Sequence, residues 1–414
     1  MNILYISPRF PYPADQGDKV VIYNHLKFLS KTNKITLLSL FQNERELDGI
    51  SGLSDFCSKI EVYKKRPNLS ALNLIYAVFK TAPFTVIRYY SPKMFKKAKQ
   101  LIESGGFDVV HAAFYYMGQY VVDKRITVPK NTAAILDTHN IEYLIYSRFA
   151  RLAKDPFIKL STYLEALRIK RYEVPVYKKF DKCIAFSQLD KDNISALSGA
   201  SNIVVNPSCI ELPACPAGRP AGDREASSRD EEKNTVLFFG LLNTPANDDA
   251  IKFFYENIFP KVKEKIPDVK FVIAGKHPSR YVLNLRRDPC VRFLGKVSDM
   301  KGLLKKTALV IAPLRLGGGT RIKILEAWAA GKAVVSTSIG AQGVEAVNGA
   351  DITIADSASD FADSVVRLLG DDIKRRQIGE AAFKKAAEYY SPGRIIGNLE
   401  AIYKQVLSEK SARR

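Results

Sequence analysis

Cysteine is scarce in this chain, and its few cysteines form no pattern. There are five in 414 residues, an odd number, and they show neither regular pairing nor the close spacing of metal ligands. A disulfide framework is therefore excluded, and a reducing compartment is the simpler expectation. The cysteines are Cys57, Cys183, Cys209, Cys215 and Cys290.

Long hydrophobic runs are also lacking. No apolar stretch approaches the roughly 18 residues that a membrane-spanning helix needs. The sequence opens with Met-Asn-Ile-Leu-Tyr-Ile-Ser, which has no basic region and only a short apolar run, so it predicts a buried strand and not a signal peptide. We expect a cytoplasmic protein that at most lies peripherally on the inner face of the cell membrane.

Histidine is the third scarce residue. The chain has only four, His25, His111, His139 and His277, and they are far apart in the sequence. Such dispersion predicts no metal site. His25 falls in a predicted amphipathic helix, and His111 falls in a predicted strand, where we expect a buried structural role.

Acidic residues are outnumbered by basic ones. The chain has 63 lysines and arginines against 43 aspartates and glutamates, a formal net charge of +20. This excess favours polyanionic partners, namely nucleic acid, an anionic membrane leaflet or phosphorylated substrates. Nucleic acid is disfavoured because no known reader motif is present. The densest basic run, residues 64–99, is typical either of an amphipathic segment at an anionic lipid interface or of a solvated helical face.

The length and the hydrophobic pattern predict two α/β domains. A chain of 414 residues is too long for one ordinary core. Short apolar runs alternate with longer helical patterns, which is typical of parallel sheets flanked by helices. Strands are predicted at residues 2–7, 34–40, 59–63, 108–112, 133–137, 182–186 and 201–205, and then at 235–239, 270–274, 291–294, 309–313, 333–336 and 351–354.

A polar segment separates the two sets of strands. Residues 207–234 contain four prolines and a charged stretch, the composition of an exposed linker. We therefore place the first domain at residues 1–215 and the second at 216–391. The expected fold is α/β, with two Rossmann-like doubly wound domains that face each other across a cleft and bind ligands beyond the carboxyl ends of their strands.

The most informative stretch is residues 316–331, Leu-Gly-Gly-Gly-Thr-Arg-Ile-Lys-Ile-Leu-Glu-Ala-Trp-Ala-Ala-Gly. A strand-like run, a glycine turn and a helical spacing of apolar residues follow one another there. Gly317, Gly318 and Gly319 allow the backbone to approach a bulky anion, and Thr320 is expected to cap the helix. This order predicts a site for a phosphate or diphosphate.

Charged side chains in the same stretch extend that prediction. Arg321 and Lys323 bring positive charge to the start of the helix. Glu326 lies one to two turns further on, where a phosphate would repel it but sugar hydroxyls can donate hydrogen bonds to it. The combination predicts a nucleotide-sugar site.

At these residues the sequence resembles the family 4 retaining glycosyltransferases, the glycosyl transferases group 1, of the GT-B fold. The resemblance continues through Gly340 and Glu345 and is supported by shorter pieces over most of the chain. Family members carry a Glu-x7-Glu pattern here, and Glu326 matches its second glutamate, which contacts the ribose of the donor. Gly318 stands where the first glutamate contacts the transferred sugar, so this chain departs from the pattern there.

The resemblance also assigns residues of the first domain. The loop that leads to Gly17 is similar to the family's first loop, which approaches the donor phosphate and the acceptor. The alternative is that Gly17 is needed only for the backbone conformation of the loop. His139 follows a predicted strand in Leu-Asp-Thr-His-Asn-Ile-Glu and resembles the histidine that contacts the donor sugar. A helix at residues 392–407 resembles the family's last helix, which would add residues from about 392 to 414 to the first domain.

In the second domain the resemblance places the donor nucleotide. Gly240 lies in the first glycine turn, but the arginine and lysine that often follow it in the family are absent, so that Arg315, Arg321 and Lys323 are the available substitutes. Gly275 ends the next strand. Ser298 lies in a segment similar to the one whose backbone recognises the nucleobase.

The expected activity is a metal-independent, retaining transfer of a hexose-type sugar. The implied donor is a nucleotide-diphosphate sugar, used as a substrate with no other cofactor, and the implied acceptor is a lipid-linked or saccharide hydroxyl of a cell-surface polysaccharide precursor. Arg321 and Lys323 would stabilise the leaving diphosphate, while Glu326 and His139 would orient the substrates. Partners would include an anionic membrane contacted peripherally but no nucleic acid.

Two alternatives remain open at this point. One is a GT-B nucleotide-sugar epimerase, which the sparse histidines do not favour. The other is a catalytically degenerate, nucleotide-binding interaction protein, which the glycine at position 318 favours modestly.

Overall fold

The computed structural model describes residues 1–66, 82–212, 231–317 and 321–413. These residues form two compact units. Unit 1 contains Met1–Cys209 and Pro392–Arg414, and unit 2 contains Ile210–Gly317 and Arg321–Ser391. Within the described ranges, no helix combines the length and the apolar character that crossing a membrane requires.

Unit 1 is built on a parallel sheet of seven strands. In chain order they are β1 (Asn2–Ser7), β2 (Lys34–Phe41), β3 (Lys59–Lys64), β4 (Val109–Ala113), β5 (Ala133–Thr138), β6 (Lys182–Ala185) and β7 (Ile203–Val205). Their order in the sheet is β3-β2-β1-β4-β5-β6-β7, so the chain reverses direction across the sheet between β1 and β4. The central strands are buried on both faces, which is why they read as continuous apolar runs.

Helices cover the sheet of unit 1. They are α1 (Gly17–Leu29), α2 (Ser51–Ser54), α3 (Phe84–Arg88), α4 (Pro92–Glu103), α5 (Glu142–Leu152), α6 (Pro156–Tyr177) and α7 (Gln188–Ser198), with 3-10 turns at Glu44–Gly49 and Tyr115–Tyr120. Ser187 caps α7 by accepting a hydrogen bond from the Asp190 amide.

Unit 2 repeats this architecture with six parallel strands. They are β8 (Glu232–Phe239), β9 (Lys270–Ala274), β10 (Val291–Gly295), β11 (Thr307–Ala312), β12 (Val334–Ser336) and β13 (Thr353–Ile354), in the order β10-β9-β8-β11-β12-β13. The direction reverses between β8 and β11. Two apolar clusters fill the two faces of this sheet, one around Phe254, Phe259 and Phe271 and the other around Trp328.

The helices of unit 2 follow the same alternation. They are α8 (Pro245–Phe253), α9 (Phe259–Lys265), α10 (Arg280–Asn284), α11 (Met300–Lys306), α12 (Ile322–Ala329), α13 (Ala358–Gly370) and α14 (Asp372–Tyr389). A π-helical turn, Phe254–Ile258, joins α8 to α9, and a 3-10 turn, Leu285–Arg287, follows α10.

All thirteen predicted strands are confirmed, with ends that shift by up to three residues. The prediction of a linker over residues 207–234 is wrong at its second end, because β8 already begins at Glu232. Glu231 is held there by Lys332 and Arg375, whose charged groups lie 2.7 and 2.6 Å from its carboxylate. The middle of that predicted linker, residues 213–230 with Cys215, lies outside the described residues.

The four described cysteines, Cys57, Cys183, Cys209 and Cys290, are buried, and none of them forms a disulfide with another. The basic run at residues 64–99 is described only in part, since residues 67–81 lie outside. In its described part, α4 buries Met94, Phe95, Ala98 and Ile102 and leaves Lys93 and Lys96 exposed.

The last helix, α15 (Pro392–Ala412), belongs to unit 1 although it follows unit 2 in the sequence. It packs against α1 and β5 and buries Leu399 and Tyr403 completely. The Tyr403 hydroxyl lies 2.7 Å from Nδ1 of His111, in the middle of β4. The helix therefore completes the core of unit 1.

We predict that Leu399→Ala destabilises unit 1 by about 2–5 kcal/mol, because it removes buried methyl groups and leaves a cavity. Thermal unfolding followed by circular dichroism should show a lower midpoint for this variant. Lys404→Ala, on the exposed face of the same helix, is the control and should unfold as the wild type does. Equal midpoints for the two variants would contradict the packing of α15 described here.

Candidate functional site

The carboxyl edge of the second sheet carries a row of glycines. Gly240 follows β8, Gly275 follows β9 and Gly295 ends β10. The Gly240 amide donates to the Ala274 carbonyl at 3.1 Å, and the Gly275 amide donates to the Gly295 carbonyl at 2.7 Å. The direction of the sheet reverses at β8, and in open α/β sheets such a reversal opens a crevice for ligands.

Two of these positions require glycine. Gly240 and Gly275 have φ angles of +144° and +153°, which side chains disfavour. A Cβ atom on Gly275 would overlap the Gly240 carbonyl oxygen. A Cβ atom on Gly240 would lie 3.1 Å from Nδ2 of Asn247 and 3.6 Å from Nζ of Lys323. The glycines thus leave room for the Lys323 ammonium group at the edge of the sheet.

Lys323 reaches this edge from the first turn of α12. Its Nζ donates to Oδ1 of Asn247 at 2.8 Å and lies 3.9 Å from the centre of the Phe238 ring, a cation–π contact. Asn247 is oriented by its own Nδ2, which donates to the Leu241 carbonyl at 2.8 Å. The position of the ammonium group is therefore fixed from two sides, by α8 and by β8.

Burial shifts the pKa values of Lys323 and Glu326 toward each other. Desolvation, reinforced by the charge of Arg321, lowers the pKa of Lys323 to about 7, and the charge of Glu326 opposes this. Desolvation raises the pKa of Glu326 to about 7, against the charge of Lys323. Among the described residues none donates a hydrogen bond to the Glu326 carboxyl group. A bound anion would favour the charged form of Lys323.

Arg321 lies beside the same site but contacts the backbone. It is the N-cap residue of α12, and its Nη2 donates to the Ile339 carbonyl at 3.3 Å. Gly317 has a φ angle of +120°, and a Cβ atom there would lie 2.8 Å from Nη1 of Arg321. Arg321 makes no side-chain capping bond at this position, and Thr320, the expected cap, lies outside the described residues.

The centre of the glycine turn, Gly318, Gly319 and Thr320, lies outside the described residues. Arg315 is described, and it does not point to the Lys323 site. Its guanidinium forms two hydrogen bonds with the carboxylate of Asp249, at 2.6 and 3.1 Å, and lies over the Phe253 ring. Ser298 is exposed in the loop between β10 and α11.

In unit 1, the first loop is organised by Arg9, which sequence reasoning did not single out. Its Nη1 donates to Oε1 of Gln16 at 2.8 Å and lies 3.2 Å from the Asp18 carboxylate. Gly17, between those two residues, begins α1. The loop residues around Gly17 are thus held by one guanidinium group.

His139 follows β5 and lies beside a buried carboxylate. Nε2 of His139, Nδ1 of His25 and Nε2 of His111 lie 3.7, 3.6 and 3.4 Å from Oδ2 of Asp137. These three histidines are far apart in the sequence but lie together in the structure, because α1, β4 and β5 meet at this point. His111 is buried within β4, as predicted.

Burial controls the protonation of this cluster. It raises the pKa of Asp137, against the charges of His139 and His25, and it lowers the pKa values of His25 and His139 to about 4 and of His111 to about 3. The imidazoles are therefore neutral near pH 7. The ligand atoms of His25, His111 and Asp137 lie within 4.8 Å of one another, and nitrogen and carboxylate donors suit a divalent transition metal.

An aromatic column extends from the His139 ring. His139 stacks on Phe114, with ring centres 4.1 Å apart, and Phe114 stacks on Tyr116 at 5.2 Å. Tyr116 in turn stacks on Tyr89 at 4.5 Å, and Nζ of Lys65 lies 3.7 Å from the centre of the Tyr89 ring. The imidazole orientation is thereby restricted.

Comparison with known proteins finds a family match for part of unit 2. Residues 233–371 match the family described as Glycosyl transferases group 1. Over 410 residues the chain is 23% identical to a protein of the cps region of Klebsiella pneumoniae, covering 96% of this chain and 98% of the relative. It is also 27% identical over 308 residues to a phosphatidyl-myo-inositol mannosyltransferase of Mycolicibacterium smegmatis, covering 72% of each chain.

The whole chain also has a known fold. It is similar to the crystal structure of HepE from Anabaena in complex with UDP, with a TM-score of 0.66, 15% identity, and coverage of 98% of this chain and 100% of that one. This likeness supports the fold alone. Residues 233–371 therefore belong to the glycosyl transferases group 1, and the chain as a whole has the GT-B fold.

Proposed function

We propose that this glycosyltransferase transfers a hexose-type sugar, with retention of configuration, from a nucleotide-diphosphate sugar to a hydroxyl group of a lipid-linked or cell-surface polysaccharide precursor. The observation that carries the proposal is the position of the Lys323 ammonium group. It lies beside Gly240, where the direction of the second sheet reverses, and Asn247 and Phe238 fix it there. A cation held next to backbone that carries no side chain is suited to binding a diphosphate.

The donor is proposed to carry uridine. HepE, to which this chain is similar, was solved with UDP and with UDP-glucose. Gly240 and Gly275 carry no side chains at this edge of the sheet, so a nucleotide can approach the backbone closely from outside it. Glu326 follows Lys323 by three residues in α12, and no described residue donates a hydrogen bond to its carboxyl group. We propose that this group accepts hydrogen bonds from the ribose.

The proposed reaction needs no protein nucleophile. The bond between the anomeric carbon and the diphosphate breaks through an oxocarbenium-like state, and the acceptor oxygen attacks from the same face. The acceptor proton then passes to an oxygen of the leaving diphosphate. Lys323 and Arg321 stabilise the negative charge that develops on that group, and His139 orients the transferred sugar. Arg315, paired with Asp249, has no role in this proposal.

The acceptor class is supported by two relatives and by the net charge of the chain. The relative from Klebsiella pneumoniae belongs to a cps region, and the mycobacterial relative is named for a phosphatidylinositol lipid. The net charge of +20 suits an acceptor that carries phosphate or lies at an anionic membrane. A lipid-linked saccharide satisfies both conditions.

We predict that UDP and UDP-sugars raise the melting temperature of the protein more than the guanosine and adenosine equivalents do. A ligand that binds only the folded state, present at a hundred times its Kd, stabilises it by about 2.7 kcal/mol. A thermal-shift series over the three bases checks this. Equal shifts for all three, or none, would contradict the proposed donor. Conversion of a UDP-sugar into its epimer without an acceptor product would favour an epimerase, and binding of the donor with no turnover would favour a binding protein.

We predict that Lys323→Ala lowers turnover by about 100- to 1,000-fold, the usual effect of removing a group that stabilises developing negative charge. The acceptor KM should change little, because Lys323 is proposed to act on the leaving group. Steady-state rates of UDP release, measured over a range of acceptor concentrations, separate the two parameters. Lys305→Ala, which removes an exposed lysine of the same unit, is the control; unchanged turnover in Lys323→Ala would refute the role.

We predict that the transfer is independent of metal ions. Dialysis against EDTA should leave the rate and the melting temperature unchanged, because protein side chains, not an ion, are proposed to neutralise the diphosphate. Mass spectrometry of the purified protein should find no stoichiometric zinc, manganese or iron. A metal that is lost on dialysis and whose return restores activity would refute this prediction, and loss of that metal in His25→Gln would locate it at Asp137.

A further inference from the structure

One segment of unit 1 exposes an unusual amount of apolar surface. We call residues 151–164, the end of α5 and the beginning of α6, the hairpin tip. Among the described residues twelve large hydrophobic side chains are exposed, and six of them belong to this short segment. They are Leu152, Phe157, Ile158, Leu160, Tyr163 and Leu164, with Phe157 80% exposed.

The hairpin tip projects beyond the core of its own unit. The buried side chains of α6 begin only at Ala166, so the first two turns of the helix do not pack on the sheet. The first turn of the helix is nevertheless stabilised, because Asp155 accepts a hydrogen bond from the Ile158 amide at 2.9 Å and Pro156 lies in that turn. Exposed apolar surface on a well-formed helix indicates an interaction site.

Phe157, Leu160 and Leu164 lie on one face of α6, at positions three and seven residues apart. Tyr163 borders this face with a ring that combines an apolar body and a polar hydroxyl, a combination suited to the level of lipid headgroups. The face therefore has the composition of a surface that enters the boundary between headgroups and acyl chains.

The charge around this face is positive. Between residues 148 and 164 the chain carries Arg148, Arg151, Lys154 and Lys159, against a single acidic residue, Asp155, whose carboxylate already caps α6. Each basic residue near an anionic leaflet adds to its attraction. A second copy of the chain, docked symmetrically on this face, would instead bring like charges together.

We propose that the hairpin tip docks the protein onto an anionic lipid bilayer, with its apolar side chains in the interface and its lysines and arginines against the headgroups. This surface is distinct from the basic run at residues 64–99, in whose described part α4 buries Met94, Phe95, Ala98 and Ile102.

The position of the hairpin tip suits an acceptor carried by the membrane, an extension that rests on the proposed function. Helix α5 begins at Glu142, three residues after His139, and ends at Leu152 in the tip. Its eleven residues span about 16 Å. Docking through the tip would hold the His139 loop about one helix length from the lipid surface.

The test is flotation of the full chain with vesicles of phosphatidylcholine, with and without phosphatidylglycerol. The wild type should float with the anionic vesicles and much less with the zwitterionic ones. Phe157→Asp combined with Leu160→Asp should weaken binding to the anionic vesicles by about tenfold or more, because two apolar anchors become charged. Lys154→Gln combined with Lys159→Gln should reduce the preference for anionic lipid.

Ile373→Asp is the matched control, since Ile373 is 73% exposed on α14 of unit 2 and should be irrelevant to docking. Its flotation should equal that of the wild type. The proposal is overturned if the wild type floats with neither vesicle, if Phe157→Asp with Leu160→Asp floats like the wild type, or if that variant only converts a dimer into a monomer in light scattering. Flotation needs no sugar transfer, so its result is independent of whether the proposed donor and acceptor are right.

Discussion

The close approach of two backbone segments is the constraint on which the second unit depends. Gly275 lies so near the Gly240 carbonyl that no side chain fits between the ends of β8 and β9. The ammonium group of Lys323 lies at this edge and comes from the first turn of α12, the helix that follows β11 in the chain. Glycine conformation, sheet order and a buried cation are therefore parts of one arrangement, and a change in any of them alters the others.

Each unit uses burial to adjust the charge of groups at the carboxyl ends of its strands. In unit 2, desolvation brings the pKa values of Lys323 and Glu326 together near 7, so that the arrival of an anion decides which form of the lysine is stable. In unit 1, desolvation keeps three imidazoles neutral around the Asp137 carboxyl group. The charge of the Lys323–Glu326 pair responds to a ligand. The histidine cluster around Asp137 is instead enclosed by Tyr5 and Tyr403 and belongs to the interior of unit 1.

The sequence predicts the sheets well because buried parallel strands are continuous apolar runs, a local pattern. The start of β8 is missed because Glu232, Lys233 and Asn234 are polar and resemble the linker before them. Lys323 and Gly240 are both found from local motifs, but their proximity, and the bond from Lys323 to Asn247, depend on strand order, which spacing along the chain does not reveal. The grouping of His25 and His111 at Asp137 is hidden for the same reason.

The C-terminal helix has a consequence for how the protein is made. Helix α15 supplies Leu399 and Tyr403 to the interior of unit 1, yet all of unit 2 precedes it in the chain. During synthesis, the seven strands of the first unit leave the ribosome long before the helix that covers them, while every segment of the second unit emerges as one uninterrupted piece. Until α15 has emerged, the nascent first unit therefore lacks the side chains that fill this part of its interior.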